Sequence, residues 1–326
     1  MSAYLGRKEE NSMVERKEYF EKLVGYKDKK IIKGITGVRH CGKSTLLKMF
    51  QDYLLENGVQ QNQIIAVNFE DYAFDALKDP KVLYKYILDR LVPDRPAYIF
   101  LDEIQNVNDF QKVVDSFFIK DNIDIFLTGS NAYMLSGELA LLSGRYVKIE
   151  MLPLSFSEYI QAKGHGKSVD ENYQEYIETS SFPYALNLSK DKGQIKEYLT
   201  GIYDSILVKD VIARRKISDV MMLESVIRFL MDNIGTQLST KKISDTMTSG
   251  GRNINVRTVE SYVSAFMDSF IVYQAKRYDI KGKQYLKTLE KYYIVDIGLR
   301  NVMLGNPGKD IGHVLENVVY LELLRR

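Results

Sequence analysis

The stretch from Ile31 to Ser44, IIKGITGVRHCGKS, constrains the fold more than any other part of this chain. It reads as a short apolar strand, then Gly37-x4-Gly42-Lys43-Ser44, then an amphipathic helix with Leu46, Phe50 and Leu54 on one face. Strand, glycine-bounded loop and helix in that order form the context that a phosphate-binding loop requires. Glycines let backbone N–H groups close around phosphate oxygens, and the helix N-terminus adds the positive end of its dipole. The loop comprises Gly37, Val38, Arg39, His40, Cys41, Gly42, Lys43, Ser44 and Thr45. Lys43 would reach the β- and γ-phosphates of a nucleotide, and Ser44 would ligate Mg²⁺ through its hydroxyl.

Composition excludes several classes. The 45 basic and 43 acidic residues leave a formal charge of +2, so any nucleic-acid surface has to be local. A single cysteine, Cys41, rules out an intramolecular disulfide and fits a reducing compartment. No window approaches 18 apolar residues, and the opening MSAYLGRKEENSMVERKEYF is charged where a signal peptide needs an apolar region. The expectation is a soluble, cytoplasmic protein with no membrane partner. Its 326 residues suggest two or three domains.

Residues 13 to 26 have helical spacing with Tyr19, Leu23 and Phe20 inward. Arg16 or Tyr19 could touch a bound adenine, or the helix could simply cover the sheet edge. The helix from Thr45 should end at Glu56-Asn57-Gly58, and Ile64 to Phe69 is a second strand. A helix around Val82 to Leu91 precedes a third strand from Ala97, which ends in Asp102-Glu103. Ligands gather at the carboxyl ends of buried parallel strands. Asp102 there would hold Mg²⁺ through water, and Glu103 would polarise the attacking water. The adjacent glutamate favours an additional-strand P-loop ATPase over a GTPase, and no Asn-Lys-x-Asp motif is present. The fourth strand, Asp124 to Leu127, ends in Thr128-Gly129-Ser130-Asn131. Thr128 and Ser130 could register the γ-phosphate or merely cap a helix. A helical Leu139 to Leu142, then Arg145 and a fifth strand, Tyr146 to Met151, follow.

The set GVRHCGKSTLL, YIFLDEIQ, LTGSN, LSGRY and LPLSFSEY resembles a prokaryotic family of AAA-class ATPases from about Arg16 to the chain end. That family is related to Orc/Cdc6-like and STAND-type ATPases and carries a C-terminal domain that looks like a restriction nuclease. The resemblance puts the phosphate loop on Gly37 to Thr45 and the metal-binding and water-activating acids on Asp102 and Glu103. It puts the polar sensor on Thr128 to Asn131, and on Arg145 an arginine that in relatives reaches a neighbouring subunit's nucleotide. Here Arg145 could equally pair with an acid of its own subunit. His40 stands where relatives often have a second arginine. Cys41 reads as a small packed residue, since no partner base is identifiable.

The polar stretch 161–172 makes the best domain boundary. Helices are expected at Tyr173 to Thr179, Gly193 to Asp204 and Ile206 to Arg214. Ser181-Phe182-Pro183 resembles the Gly-x-Pro turn of STAND-type lids, which would bring Pro183 to the adenine, although a serine replaces the glycine. A second arginine sensor could be Arg214 or Arg215. Residues 223 to 297 read as a winged helix-turn-helix: two helices, a third from Val256 with Val259, Val263, Phe266 and Phe270 on one face, and a hairpin. The hairpin strands are expected at Ile271 to Tyr278 and Tyr285 to Leu289, around Asp279-Ile-Lys281-Gly282-Lys283. A local excess of Lys and Arg suggests duplex DNA, though winged helices also serve as packing modules. Ile311 to Arg326 places Val314, Leu315, Val318 and Val319 on one face. It resembles the start of the nuclease-like domain, with Glu316 as its opening acid, in a truncated chain where no nuclease activity is expected.

The expected fold is α/β: a parallel five-stranded P-loop sheet in the order 5-1-4-3-2 that the resemblance implies, with a helical lid and a winged helix. The expected domains are 1–162 (ATPase), 163–222 (lid), 223–297 (winged helix) and 298–326 (start of a further domain). ATP and Mg²⁺ are the expected ligands, with duplex DNA and self-association as candidate partners. The expected function is an ATP-hydrolysing conformational switch. A DNA-binding regulator with a structural, barely hydrolytic nucleotide site is the alternative.

Overall fold

The computed structural model describes residues 14–132, 144–164, 166–188, 191–276, 289–305 and 310–326. Five parallel strands form the central sheet: β1 (Ile32–Thr36), β2 (Ile64–Asn68), β3 (Ala97–Asp102), β4 (Ile123–Gly129) and β5 (Tyr146–Glu150). Their spatial order is β2-β3-β4-β1-β5, which is the expected 5-1-4-3-2 read from the other edge. All four pairings are parallel, so the ends of β1, β3 and β4 point the same way.

Strand alternation divides the core. Phe100 and Phe126 stack 4.8 Å apart on one face, against Phe50 of α2 (Lys43–Glu56). Leu46 and Leu54 of α2 are buried in the same cluster, with Leu23 of α1 (Lys17–Tyr26). On the other face Ile99, Leu101, Ile125 and Leu127 pack on α3 (Pro80–Leu88) and α4 (Phe110–Phe118). A sheet covered on both faces explains why its strands read as continuous apolar runs. Helix α3 starts at Pro80, earlier than the apolar spacing predicts. Asp79 caps it by accepting from Lys81 N and Val82 N, and proline suits the first helical position.

After β5, α5 (Phe156–Lys163) and α6 (Val169–Glu178) each begin with a Ser/Glu capping box, so much of the polar 161–172 stretch is helical. A turn at 180–188 leads to α7 (Lys192–Ser205). This runs on as a π-helical segment, Ile206–Ile212, and a last turn, α8 (Ala213–Arg215).

The second half contains α9 (Val220–Asp232), β6 (Gln237–Leu238), α10 (Thr240–Ser249), α11 (Val256–Asp268), β7 (Val272–Ala275) and β8 (Glu290–Ile294). The three strands make an antiparallel sheet in the order β6-β8-β7. The buried face of α11 carries Val259, Val263 and Phe266 as expected and adds Tyr262, whereas Phe270 is buried past the end of the helix, at φ 59°. Strand β8 begins at Glu290, and of the expected run Tyr285 to Leu289 only Leu289 is among the described residues. The Lys281-Gly282-Lys283 turn and the expected helix at Leu139 to Leu142 lie outside the described residues.

Helix α12 (Ile297–Leu304) and helix α13 (Ile311–Arg325) complete the chain. The expected inward face of α13 needs correcting. Val314, Asn317, Val318 and Leu321 are buried, whereas Leu315 and Val319 are exposed. Asn317 fixes that rotation: its side-chain oxygen accepts from Ile294 N and its amide donates to Ile294 O, both at 2.8 Å. Glu316 accepts from Lys291 Nζ and Tyr293 Oη, each at 2.6 Å. Among the described residues, no helix is long and apolar enough to cross a membrane.

Candidate functional site

The phosphate loop leaves β1 against the chain that follows β5. Met151 N donates to Thr36 O at 2.6 Å. A Cβ on Gly37 would lie 2.0 Å from Met151 O, so only glycine fits there. Arg16 fastens the other side of the loop. It donates to Cys41 O at 2.9 Å, to Leu152 O at 2.7 Å and to Glu158 at 2.9 Å. Tyr19 is buried, with its hydroxyl accepting from Leu152 N. Cys41 is fully buried, and burial pushes its thiol up, the opposite of what a nucleophile needs. His40 takes a left-handed conformation, φ 63°, at the exposed crest of the loop. Partial desolvation by neighbouring groups, with the Arg39 and Lys43 charges, holds its imidazole below the usual range.

Lys43, at the start of α2, folds back over the loop. Its ammonium donates to Gly37 O at 3.0 Å and Val38 O at 3.1 Å, and lies 3.5 Å from Glu103 Oε1. Glu103 sits just past β3 with φ 55°, a conformation that costs a non-glycine residue about 1–3 kcal/mol. Burial works to raise its carboxyl, but the Lys43 charge, a hydrogen bond from Gln105 and the Arg39 charge outweigh it and hold Glu103 below the usual range. Asp102 is shifted the other way. Burial raises it, against hydrogen bonds from Thr128 and Ser44. Thr128 Oγ1 donates to Asp102 Oδ1 and accepts from Glu103 N at 2.8 Å, so one hydroxyl orients both acids. Ser130 Oγ accepts from Gln105 Nε2 at 3.3 Å, and the same amide donates to Glu103.

Beside these groups, and lined by Lys43, Ser44 and Glu103 among them, lies a cavity of about 900 Å³. Arg39, His40, Gly42, Lys43, Ser44, Thr45 and Glu103 line one end. Pro183, Tyr184, Leu186, Asn187 and Tyr198 line it from the helical side, with Arg16 and Val14 between. The Tyr184 and Tyr198 rings lie 5.3 Å apart. Arg39 bridges the two sides. It donates to both oxygens of Asp210 in the π-helical segment, at 2.6 and 3.2 Å, and to Glu70 at 2.7 Å. Arg214 lies 3.4 Å from the same Asp210, whereas Arg215 pairs with Asp268 of α11. Arg145 is outside the lining. It pairs with Asp115 of its own chain and stacks its guanidinium 5.5 Å from the Phe118 ring.

Asp102 and the Ser44 hydroxyl offer the hard oxygen donors that Mg²⁺ prefers. Mg²⁺ usually takes one or two carboxylates and completes its shell with water and substrate phosphates, so this set fits it. Sequence reasoning brought the loop, both acids, Thr128, Ser130 and Pro183 into view. It missed Gln105, an amide that belongs to no motif, and Asp210, whose partner Arg39 lies 171 positions away.

Residues 29–160 match a protein-family model described as an AAA domain, and residues 170–310 match one described as a domain of unknown function. An uncharacterized protein of Haemophilus influenzae is 41% identical over 320 residues, covering 97% of this chain and 80% of the relative. The uncharacterized protein MJ1544 of Methanocaldococcus jannaschii is 30% identical over 311 residues, covering 90% of this chain and 67% of its own. Among solved structures, the Walker-type ATPase PABY2304 of Pyrococcus abyssi superposes with a TM-score of 0.62 at 15% identity. It covers 92% of this chain and 99% of its own, and this likeness establishes a shared fold.

Proposed function

This chain belongs to the AAA-domain family of its Haemophilus and Methanocaldococcus relatives, and from that premise we propose that it binds ATP with Mg²⁺ and hydrolyses it. One observation carries the reading: Lys43, Ser44 and Glu103 line one end of a nucleotide-sized cavity, with Asp102 hydrogen-bonded to Ser44 beside it. The triphosphate lies along the loop, and the base lies toward Pro183, Tyr184 and Tyr198. On binding, Lys43 exchanges two loop carbonyls for phosphate oxygens, whose negative charge pairs with its ammonium. Asp102 and Ser44 would hold Mg²⁺, which would supply neutralising charge to the phosphates. Glu103, ionised and aimed by Gln105, orients and deprotonates the attacking water. Thr128 keeps both acids in register from behind the site. Hydrolysis then serves as a conformational switch, because Arg39 joins the phosphate loop to Asp210 of the helical side.

The order of α9, β6, α10, α11, β7 and β8 also favours a winged helix in the second half, and with it duplex DNA as a partner. Arg257 and Ser261 stand exposed on α11 opposite its buried face.

A fluorescent ATP analogue titrated with Mg²⁺ tests the first reading. Wild-type protein should bind it, and Lys43→Ala should lose most of that affinity while remaining folded. Phosphate release with and without duplex DNA separates a working ATPase from a DNA-binding regulator. A bound nucleotide that is never hydrolysed under either condition would overturn the ATPase reading.

A further inference from the structure

The helical wall of the cavity is held from outside by one buried carboxylate of the second half. Asp296, between β8 and α12, is 2% exposed. It accepts from Ser181 N at 2.6 Å, Ser181 Oγ at 2.7 Å and Ser180 Oγ at 3.1 Å, and caps α12 through Leu299 N at 2.6 Å. Ser180 and Ser181 begin the turn whose next residues, Pro183 and Tyr184, line the cavity. The approach is close. A Cβ on Gly298 would sit 2.1 Å from Thr179 O, so α12 can press on this turn only because that position is glycine. Asn301 Nδ2 adds a bond to Ile177 O at 3.0 Å on the same contact.

Ser181 stands where a glycine was expected from the resemblance to Gly-x-Pro lids, and its hydroxyl is used. Ser181 O accepts from Leu154 N at 2.8 Å on the sheet side, while its N–H and hydroxyl donate to Asp296 on the other. The residue is a two-sided joint between the ATPase sheet and the β8–α12 connection. Four donors converging on one buried carboxyl group fix its orientation, so the joint has one well-defined geometry.

We propose that Asp296 is a positioning residue for the nucleotide site: through Ser180 and Ser181 it sets where Pro183 and Tyr184 stand. It thereby ties the base end of the cavity to the second half of the chain. The inference rests on the reading that the base lies at this wall. Among the described residues no hydrogen bond joins Ser180, Ser181 or Asp296 to the phosphate loop, so the joint's effects should fall mainly on the base half of the ligand.

Tripolyphosphate with Mg²⁺ engages only the phosphate half, which supplies the control. ATP and tripolyphosphate affinities are measured as competitors of a fluorescent ATP analogue, on wild type, Asp296→Asn and Ser181→Ala. Both variants should lose about tenfold or more in ATP affinity, the scale of one charge-assisted hydrogen bond that orders a binding element. Tripolyphosphate affinity should change less than twofold. The double variant should be little worse than either single one, because both break the same joint. Equal losses for both ligands would assign Asp296 a purely structural role and overturn the inference, as would unchanged ATP affinity in the folded Ser181→Ala protein. Should Asp296→Asn fail to fold, Ser181→Ala decides alone. Failure of wild type to bind the analogue would overturn this inference and the nucleotide reading together. Wild-type binding with an unchanged affinity ratio in the variants would overturn the inference only.

Discussion

Two lysine–carboxylate pairs occupy opposite ends of the same sheet. At the amino ends of β1 and β4, Lys33 pairs with Asp124, and neither side chain reaches solvent to a significant extent. Lys33 also donates to Lys29 O, and Asp124 also accepts from Asp28 N, both at 2.9 Å. At the carboxyl ends, Lys43 and Glu103 stand 3.5 Å apart beside a cavity. Both pairs are buried, so burial alone does not mark a functional site. The difference lies in what else each charge can reach. The first pair is closed, with each partner supplied by neighbouring backbone. The second is loosely made, its lysine rests on neutral carbonyls, and its glutamate is held in a strained backbone conformation beside open space. A pair built for stability is completed by the protein, and a pair built for chemistry is left for a ligand to complete.

That contrast is broken most directly at Glu103. Glu103→Gln retains the side chain's shape and its contact with Gln105 but removes the carboxylate proposed to activate water. Phosphate release should fall by roughly 10²–10⁴-fold while the ATP analogue still binds. Single-turnover measurement of bound ATP checks this, and turnover at the wild-type rate would remove Glu103 from the chemistry.

The closed pair should answer with stability instead. Asp124→Ala leaves the Lys33 ammonium buried without its counter-charge, which costs about 3–5 kcal/mol. Chemical denaturation reads that loss. If Asp124→Ala instead changed ATP affinity at unchanged stability, the two ends of the sheet would not be separable.

Ligand linkage sharpens the same division with a smaller effect. ATP and Mg²⁺ at a hundred times the dissociation constant should stabilise the wild type by about 2.7 kcal/mol. Asp124→Ala should gain the same increment from its lower baseline, and Lys43→Ala should gain almost none. A scan of melting temperature against ligand concentration gives all three curves. A full increment in Lys43→Ala would move the nucleotide away from the phosphate loop.

The open end was legible in the sequence and the ties around it were not, for a physical reason. A phosphate loop needs its glycines and lysine at fixed spacing, and a catalytic acid must close a strand, so Gly37 to Ser44 and Asp102-Glu103 announce themselves locally. The alternation of Phe100 and Phe126 against Ile99, Leu101, Ile125 and Leu127 is equally local, and a buried parallel sheet follows from it. Arg16, by contrast, works on backbone carbonyls of Cys41 and Leu152, and a carbonyl has no residue type to recognise. Arg39 and Asp210 meet across 171 positions of sequence. The rotation of α13 was missed because its apolar residues cover more than one face, and the deciding contact is a polar one, Asn317 against Ile294. Local pattern specifies elements, while long-range polar contacts specify how they are joined.

Arg145 gives the smallest expected effect and the most direct check on where the site ends. The family resemblance would send this arginine into a neighbouring subunit's nucleotide, where such a group is worth on the order of 10³-fold or more in rate. The structure has it on Asp115 of its own chain, with both side chains 44% exposed and the Phe118 ring beneath the guanidinium. Water screens a pair so exposed, and such pairs contribute less than about 1 kcal/mol. Arg145→Ala should therefore lower stability by no more than that, and phosphate release per subunit should not depend on protein concentration. Mixing Arg145→Ala with Lys43→Ala protein should give only the sum of their separate activities, because each site uses the residues of its own subunit. Rates that rise with concentration, and turnover recovered in the mixture, would mean that Arg145 leaves Asp115 for a neighbour's site. The boundary drawn here between a closed surface pair and an open catalytic one would then have to move.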